Sequence, residues 1–305
     1  GVSYSTIEPI TTSAKPKAGF KISPDSIACV GTQVIFQDTS NTGAIVDGIG
    51  IVDKTVVSNW VITPATGWSI SSGKVGSVTP TKNPATWGSV NLGITFNVAG
   101  TYSIKRIVRN DCGGDSITKI VCIQSPITSQ FSINTNDGCS PVVVQTQNTS
   151  SPLNQCEPST FKWNITYDAA YCGIDAGYDY IDNTSDSSKN PKISFNKSGI
   201  YTLSLSAINE CGAFPVSQTI TVKTKPSVAL IPIPSQCGPA PILITPQTQI
   251  ENCGNTTLQY LWNFGGGNPA SSTVDKPTDI AFAPLGQHAV SLQVSNECGD
   301  SLVQT

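Results

Sequence analysis

The chain has 305 residues, a formal net charge of −3 and only 12% charged residues. It carries two arginines, Arg106 and Arg109, so it lacks the dense cationic stripe with which proteins neutralise nucleic-acid phosphates. No apolar run approaches the ~18–20 residues of a membrane-spanning helix, and no direct membrane insertion is expected.

Residues 1–17 have no counterpart later in the chain and are expected to be a linker or the last strand of a preceding module. After Cys29 the alternating run Gln33–Gln37 predicts a strand, Trp60 heads another (Trp-Val-Ile-Thr), and Phe96 stands four residues before Gly100. The phrase Gly-Thr-Tyr-Ser-Ile-Lys-Arg-Ile-Val-Arg-Asn-Asp-Cys-Gly (100–113), followed by Ser116–Ile123, predicts a hairpin with its turn at the cysteine. The same order then returns: Cys139, Val142–Gln147, Trp163, Phe195, the phrase Gly-Ile-Tyr…Asn-Glu-Cys-Gly (199–212), and Val216–Val222. It returns again as Cys237, Ile242–Thr245, Trp262, Phe282 and Gly-Gln-His…Asn-Glu-Cys-Gly (286–299). A repeat of this length is a whole domain, not a solenoid turn. The separation of Trp60 from Gly100 exceeds that of Trp262 from Gly286, so insertions are expected around Thr66–Trp87 and Ala169–Ser188.

No long segment shows helical periodicity. About seven short strands per ~100 residues around one central Trp predict an all-β chain of three tandem Ig-like β-sandwich domains. The modules are placed at 18–124, 125–224 and 225–305. Their junctions, Gln124-Ser-Pro126 and Lys223-Thr-Lys-Pro226, are short and proline-bearing, which predicts an extended array. The chain contains no Met and stops on Ser-Leu-Val-Gln-Thr, partway into a predicted strand. It is therefore expected to be a piece of a longer protein with its third module truncated.

The third module carries Trp-Asn-Phe-Gly-Gly-Gly-Asn (262–268), Lys-Pro-Thr-Asp-Ile-Ala-Phe (276–282) and Gly-Gln-His-Ala-Val-Ser-Leu-Gln-Val-Ser-Asn (286–296). In these it resembles the polycystic-kidney-disease (PKD) type module, a β-sandwich of extracellular proteins. The first two modules keep the Trp and the Gly-x-Tyr phrase and lose the Phe-Gly-Asp-Gly part of the family pattern. Asn263 and Gly266 stand where the family has aspartates, so no calcium or carboxylate role carries over, and neither a metal site nor a cofactor is expected. The cysteine-bearing turns are similar to those of large cell-surface and gliding adhesins of Bacteroidota exported by the type 9 secretion system. That resemblance implies an extracellular or bacterial outer-surface location. Asp25-Ser26-Ile27, Asp115-Ser116-Ile117 and Asp300-Ser301-Leu302 resemble the O-glycosylation acceptor of that group, which marks Ser26, Ser116 and Ser301 as candidates. The sequons at Asn148, Asn164 and Asn255 are read as incidental.

Ten cysteines without close CxxC pairs, alongside the single histidine His288, read as disulfides in an oxidising compartment, not as metal ligands. In an Ig-like sandwich the strand ends alternate between two poles. Cys29, Cys139 and Cys237 fall before strand B, at the lower pole with Cys122 and Cys172; Cys112, Cys211 and Cys298 lie in the F–G turn, at the upper pole with Cys156 and Cys253. Since thiols must be close to bridge, this map predicts Cys29–Cys122, Cys139–Cys172, Cys156–Cys211 and Cys253–Cys298, with Cys112 and Cys237 unpaired within the segment. A rival scheme joins the repeated positions directly, as in Cys139–Cys211.

Trp60, Trp163 and Trp262 are expected in the cores. Trp68 and Trp87 lie in the first insertion and are candidates either to cover the sandwich or to contact glycan. Tyr171, Tyr178 and Tyr180 crowd the second insertion with Asp168, Asp175, Asp179 and Asp182. That loop reads as a solvated segment pinned by Cys172, with a cation or glycan site as the alternative. His288 occupies the place of Tyr102 and Tyr201, a structural position, so no Ser-His-Asp set can be assembled and no catalytic residue is assigned. A carboxylate pair for glycoside hydrolysis stays open by sequence, though no cleft architecture is apparent. Gly265–Gly267 follows a strand but precedes no helix, so it is not a phosphate loop. The chain thus reads as a non-enzymatic stalk or filament-shaft segment of a large surface adhesin, with neighbouring modules as partners and surface polysaccharide or another surface protein as possible ligands. The alternatives are a carbohydrate-binding accessory of a secreted hydrolase and a self-assembling extracellular fibre subunit.

Overall fold

A computed structural model describes all residues except 1–11, 44, 48–49, 54–56, 173–174, 239, 255 and 305, and the side chains at 44–56 and 170–171 are likewise outside the description. Most of the segment 1–17, the sequon at Asn255 and the side chain of Tyr171 therefore lie outside the described residues. The chain divides into two compact units: residues 1–128, 151–159 and 207–214, and residues 129–150, 160–206 and 215–305.

In the first unit, two four-stranded sheets form a sandwich. One holds Phe20–Ser23, Gln33–Asp38, Asn91–Phe96 and Trp68–Ser72 in that spatial order; the other holds Ile27–Cys29, Gly113–Gln124, Gly100–Asn110 and Val57–Thr63. Alternation along the strands decides what faces inward. Val34 and Phe36 from one sheet meet Trp60, Tyr102, Ile104, Val121 and Ile123 from the other, all buried. Phe20 packs edge-on to Trp60 with ring centroids 5.2 Å apart, and the indole N–H donates to the Ser89 carbonyl at 2.8 Å. Arg106 is buried over the same ring, 4.5 Å from its centroid, and is paired with Asp38. Desolvation lowers the Arg106 pKa, and Asp38 opposes that shift.

The second unit holds two further sandwiches. In one, Phe131–Ile133, Val142–Asn148, Lys192–Phe195 and Tyr178–Ile181 face Asp137–Cys139, Val216–Lys223, Gly199–Asn209 and Thr160–Tyr167. Its core centres on Trp163, Phe195, Tyr201, Leu203 and Val222. In the other, Gln259–Phe264, Val290–Asn296 and Gly299–Gln304 carry Trp262, Phe264, Leu292 and Val294 into the core against Ile280 and Phe282. Trp163 donates to Ser188 O at 2.8 Å and Trp262 to Val274 O at 3.0 Å. A buried indole thus keeps its N–H satisfied in each sandwich.

Three details depart from the sequence reading. The predicted strand Ile242–Thr245 is present as Ile242–Ile244, and a further strand, Thr248–Glu251, follows it and pairs with a different neighbour. Pro246 lies between them, and a residue without an N–H cannot continue a ladder. The two insertions are not only loop: Trp68–Ser72 and Tyr178–Ile181 each add an edge strand to their sheet. They also hold a 3-10 turn at Pro84–Thr86 and a single α-helical turn at Ala169–Cys172.

Candidate functional site

The most elaborate polar and covalent chemistry gathers where one sandwich hands the chain to the next. In the first unit, Ile27–Cys29 runs parallel to the end of the long strand Gly113–Gln124, with Cys29 opposite Gln124. The linker residue Ser125 follows directly. Its N–H donates to Gln155 Oε1 at 2.7 Å, and its carbonyl accepts from Gln155 Nε2 and from Asn209 Nδ2, each at 2.9 Å. Asn209 holds its own turn as well, since Oδ1 accepts the Cys211 N–H at 2.9 Å. Two disulfides close around this residue: Cys29–Cys211 and Cys122–Cys156, with Cα–Cα separations of 5.5 and 5.8 Å.

The second unit builds a like joint, with the linker carbonyl, the asparagine and the turn cysteine in equivalent places and a second disulfide that starts from a different element. Cys139 pairs with Lys223 in a parallel register. The linker carbonyl of Thr224 accepts from Asn296 Nδ2 at 2.8 Å, while Asn296 Oδ1 accepts the Cys298 N–H at 2.8 Å. Cys139–Cys298 and Cys172–Cys253 supply the disulfides, with Cα–Cα separations of 5.4 and 5.6 Å. Lys223 adds ion pairs to Asp137 at 2.5 Å and Glu297 at 2.9 Å, and these bonds raise its pKa. Gly254, at φ +101°, lies so close to the linker that a Cβ there would meet Lys223 Cα at 2.9 Å, a place only glycine fills without strain.

The eight cysteines Cys29, Cys122, Cys139, Cys156, Cys172, Cys211, Cys253 and Cys298 are therefore bonded, and Cys112 and Cys237 are exposed thiols. All four predicted pairings, Cys29–Cys122, Cys139–Cys172, Cys156–Cys211 and Cys253–Cys298, are replaced, and so is the rival Cys139–Cys211. Register explains the first failure. Ile27, not Cys29, lies opposite Cys122, and two residues of slippage along parallel strands is about 6–7 Å, too far once the interstrand spacing is added. For the rest, the lower pole of one sandwich meets the upper-pole turns of the next, so the nearest thiol belongs to the neighbouring repeat. Sequence reasoning also missed Asn209, Asn296 and Gln155. The asparagines had a signal: each stands two residues before the turn cysteine, a spacing suited to an Asx turn.

The other singled-out residues have plainer surroundings. Trp68 is half-buried against the first core and donates to Pro64 O at 2.9 Å; half-buried Trp87 donates to Thr81 O at 2.6 Å. Ser26 and Ser116 are exposed, whereas the Ser301 hydroxyl donates to the linker carbonyl of Pro226 at 2.5 Å. Asp175 and Asp182 pair with Lys197 and Lys192 at 3.4 and 2.7 Å, and Asp179 accepts from Asn196 at 2.7 Å. These carboxylates point to separate partners and do not converge. Among the described residues no group of three or more His, Cys, Asp or Glu is placed to hold a metal ion. His288 Nε2 lies 2.8 Å from Pro284 O, matching Tyr102 OH to Val98 O at 2.9 Å and Tyr201 OH to Lys197 O at 2.8 Å. The imidazole repeats the tyrosines' bond to the carbonyl four residues back. No described helix is long and apolar enough to cross a membrane.

These features define a class: tandem immunoglobulin-like β-sandwich domains with disulfides across their junctions. Solved structures agree on the fold. The I-band fragment I67–I69 of titin aligns over 95% of this chain and 97% of its own, with a TM-score of 0.53 and 15% identity. An E-to-A variant of the same titin domains aligns over 95% and 97% with a TM-score of 0.52 and 14% identity. No protein-family model matches the sequence, and no curated protein matches it.

Proposed function

We propose that this chain is a non-enzymatic structural segment of a large bacterial cell-surface adhesin, a stalk whose joints are locked covalently. The observation that carries the reading is the placement of the disulfides. Each joins strand-end or loop cysteines of one sandwich to turn or loop cysteines of the next. A bridge inside one sandwich stabilises that sandwich; a pair of bridges across a junction removes the bending freedom of the linker. Short linkers alone give semi-stiff spacing, and two staples plus an amide clamp on the linker backbone make the joint a fixed element. Disulfides persist in oxidising compartments, which, with the PKD-like phrases, supports an extracellular location, and the resemblance of the cysteine-bearing turns supports a surface protein of the Bacteroidota type.

The experiment is small-angle scattering of the chain, oxidised and after reduction. The stalk reading expects an elongated profile with a defined maximum dimension when oxidised, and a broadened distribution of dimensions when reduced. A compact globular profile in the oxidised state sinks it. Carbohydrate binding is the second reading, and it rests on the half-buried rings of Trp68 and Trp87. Loss of polysaccharide pull-down on Trp68→Ala or Trp87→Ala would support that reading, and absence of any glycan binding would remove it.

A further inference from the structure

The order in which the four bridges connect the chain decides how it answers to tension. Without them, load that enters before Cys29 and leaves after Cys298 runs along one backbone. The three sandwiches then stand in series, and each can unravel alone at its own unfolding rate. With them the load is divided. Cys29–Cys211 is the bridge at one side of the network and Cys139–Cys298 the bridge at the other, while Cys122–Cys156 and Cys172–Cys253 tie the intervening backbone to itself. Three backbone segments leave the first of these bridges: residues 29–122, 172–211 and 211–253. Three reach the second: residues 122–139, 139–156 and 253–298.

Drawing Cys29 away from Cys298 therefore stretches at least three segments together. The set 29–122, 172–211 and 211–253 holds strands of all three sandwiches, and so does the set 29–122, 156–172 and 253–298. The set 122–139, 139–156 and 253–298 takes Phe131–Ile133, Asp137–Cys139 and Val142–Asn148 from the second sandwich and Gln259–Phe264, Ile280–Phe282 and Val290–Asn296 from the third. No set is confined to one sandwich. The same connectivity caps the length. The shortest covalent route from Cys29 to Cys298 crosses to Cys211, returns along the backbone to Cys139 and crosses again. It leaves about 70 residues to draw out, about 240–260 Å, against about 890–970 Å for the open backbone between the same two cysteines.

We propose a further function on this basis: the chain is a tension-bearing tether of capped length, and its sandwiches resist load as one network instead of one after another. Only the strands Phe20–Ser23 and Gly299–Gln304 lie outside the network, where they can peel without engaging it. The first insertion, Thr66–Trp87, lies within segment 29–122 and stays folded when the third of the sets above yields. This function depends on which cysteines are joined and not on bending stiffness, so it goes beyond the stalk reading and does not rest on it.

The test is single-molecule pulling of the full chain by peptide tags at its two ends, oxidised and after reduction. The oxidised chain should draw out to about 350–390 Å and no further, and the reduced chain to about 1,000–1,100 Å. Cys139→Ser with Cys298→Ser opens the network at one side, so that residues 254–305 become a single route. The first large lengthening of that variant should be a step of up to about 170–190 Å, at a lower force than the oxidised wild-type chain needs. An oxidised wild-type chain that draws out past about 390 Å overturns the proposal. So does a double variant that yields at the same force as wild type. The two readings fail separately. A chain that scatters as a compact particle yet keeps its cap loses the stalk and keeps the tether, and an elongated particle that pulls out to full length does the reverse.

Discussion

Removing the Cys122–Cys156 bridge by Cys122→Ser with Cys156→Ser tests whether the bridges work across the junction. The two residues are 34 apart in sequence, and closing a loop of that length restricts the unfolded chain by about 4 kcal/mol at 25 °C. The loop contains Phe131–Ile133, Asp137–Cys139 and Val142–Asn148, three strands of the second sandwich, and only the linker after the first. The loss should therefore fall on the second sandwich. Cys29–Cys211 cannot substitute, because its sequence separation of 182 closes a far longer loop. Hydrogen exchange read by mass spectrometry in mild urea reports the opening free energy strand by strand. Peptides covering Lys192–Phe195 should lose about 4 kcal/mol of protection, and peptides covering Asn91–Phe96, outside the loop, should change by less than about 1 kcal/mol. A loss below about 1 kcal/mol at Lys192–Phe195, or an equal loss in both places, refutes the reasoning.

Three further outcomes are expected. Asp38→Ala leaves the Arg106 guanidinium buried without its counter-ion, so thermal or urea unfolding of the first sandwich should show a loss of about 3–5 kcal/mol; a change under about 1 kcal/mol would mean the pair is dispensable. Asn209→Ala removes one of the two donors to the Ser125 carbonyl and the acceptor from the Cys211 N–H, and should cost about 1–3 kcal/mol, with faster amide exchange at Cys211 while the strand Lys192–Phe195 keeps its protection. Burial pushes the Tyr180 phenol up from 10.0 to about 12, so the folded state binds this proton more tightly than the unfolded chain. Its contribution is whole below pH 10 and is lost as the pH rises towards 12; a tyrosinate absorbance titration in which Tyr180→Phe removes no late-titrating component contradicts this.

Much of the fold was legible in the chain because its signals are local. Tyr201, Leu203 and Leu205 alternate with Thr202 and Ser204, and that period alone assigns the strand and its inward face. Trp60, Trp163 and Trp262 recur at one position and all lie buried. His288 could be read as structural from its alignment with Tyr102 and Tyr201, and its bond to Pro284 O follows that pattern. The edge strands Trp68–Ser72 and Tyr178–Ile181 were not legible. Trp-Ser-Ile-Ser and Tyr-Asp-Tyr alternate, but over too few residues to stand apart from the surrounding loop, and it is the neighbouring strands Asn91–Phe96 and Lys192–Phe195 that recruit them.

The joints divide most clearly between the two levels. Strand polarity, readable from sequence, decides at which pole of its own sandwich each cysteine sits. It does not decide the partner, because bond formation depends on distances of a few ångströms between groups far apart in the chain. The parallel register of Ile27–Cys29 against Cys122–Gln124 separates two thiols that share a pole. The docking of the turns at Cys211 and Cys298 against the preceding sandwich's last strand brings together thiols that sequence places in different repeats. Local periodicity determined the strands and cores of this protein, and tertiary contact between successive sandwiches decided which cysteines meet.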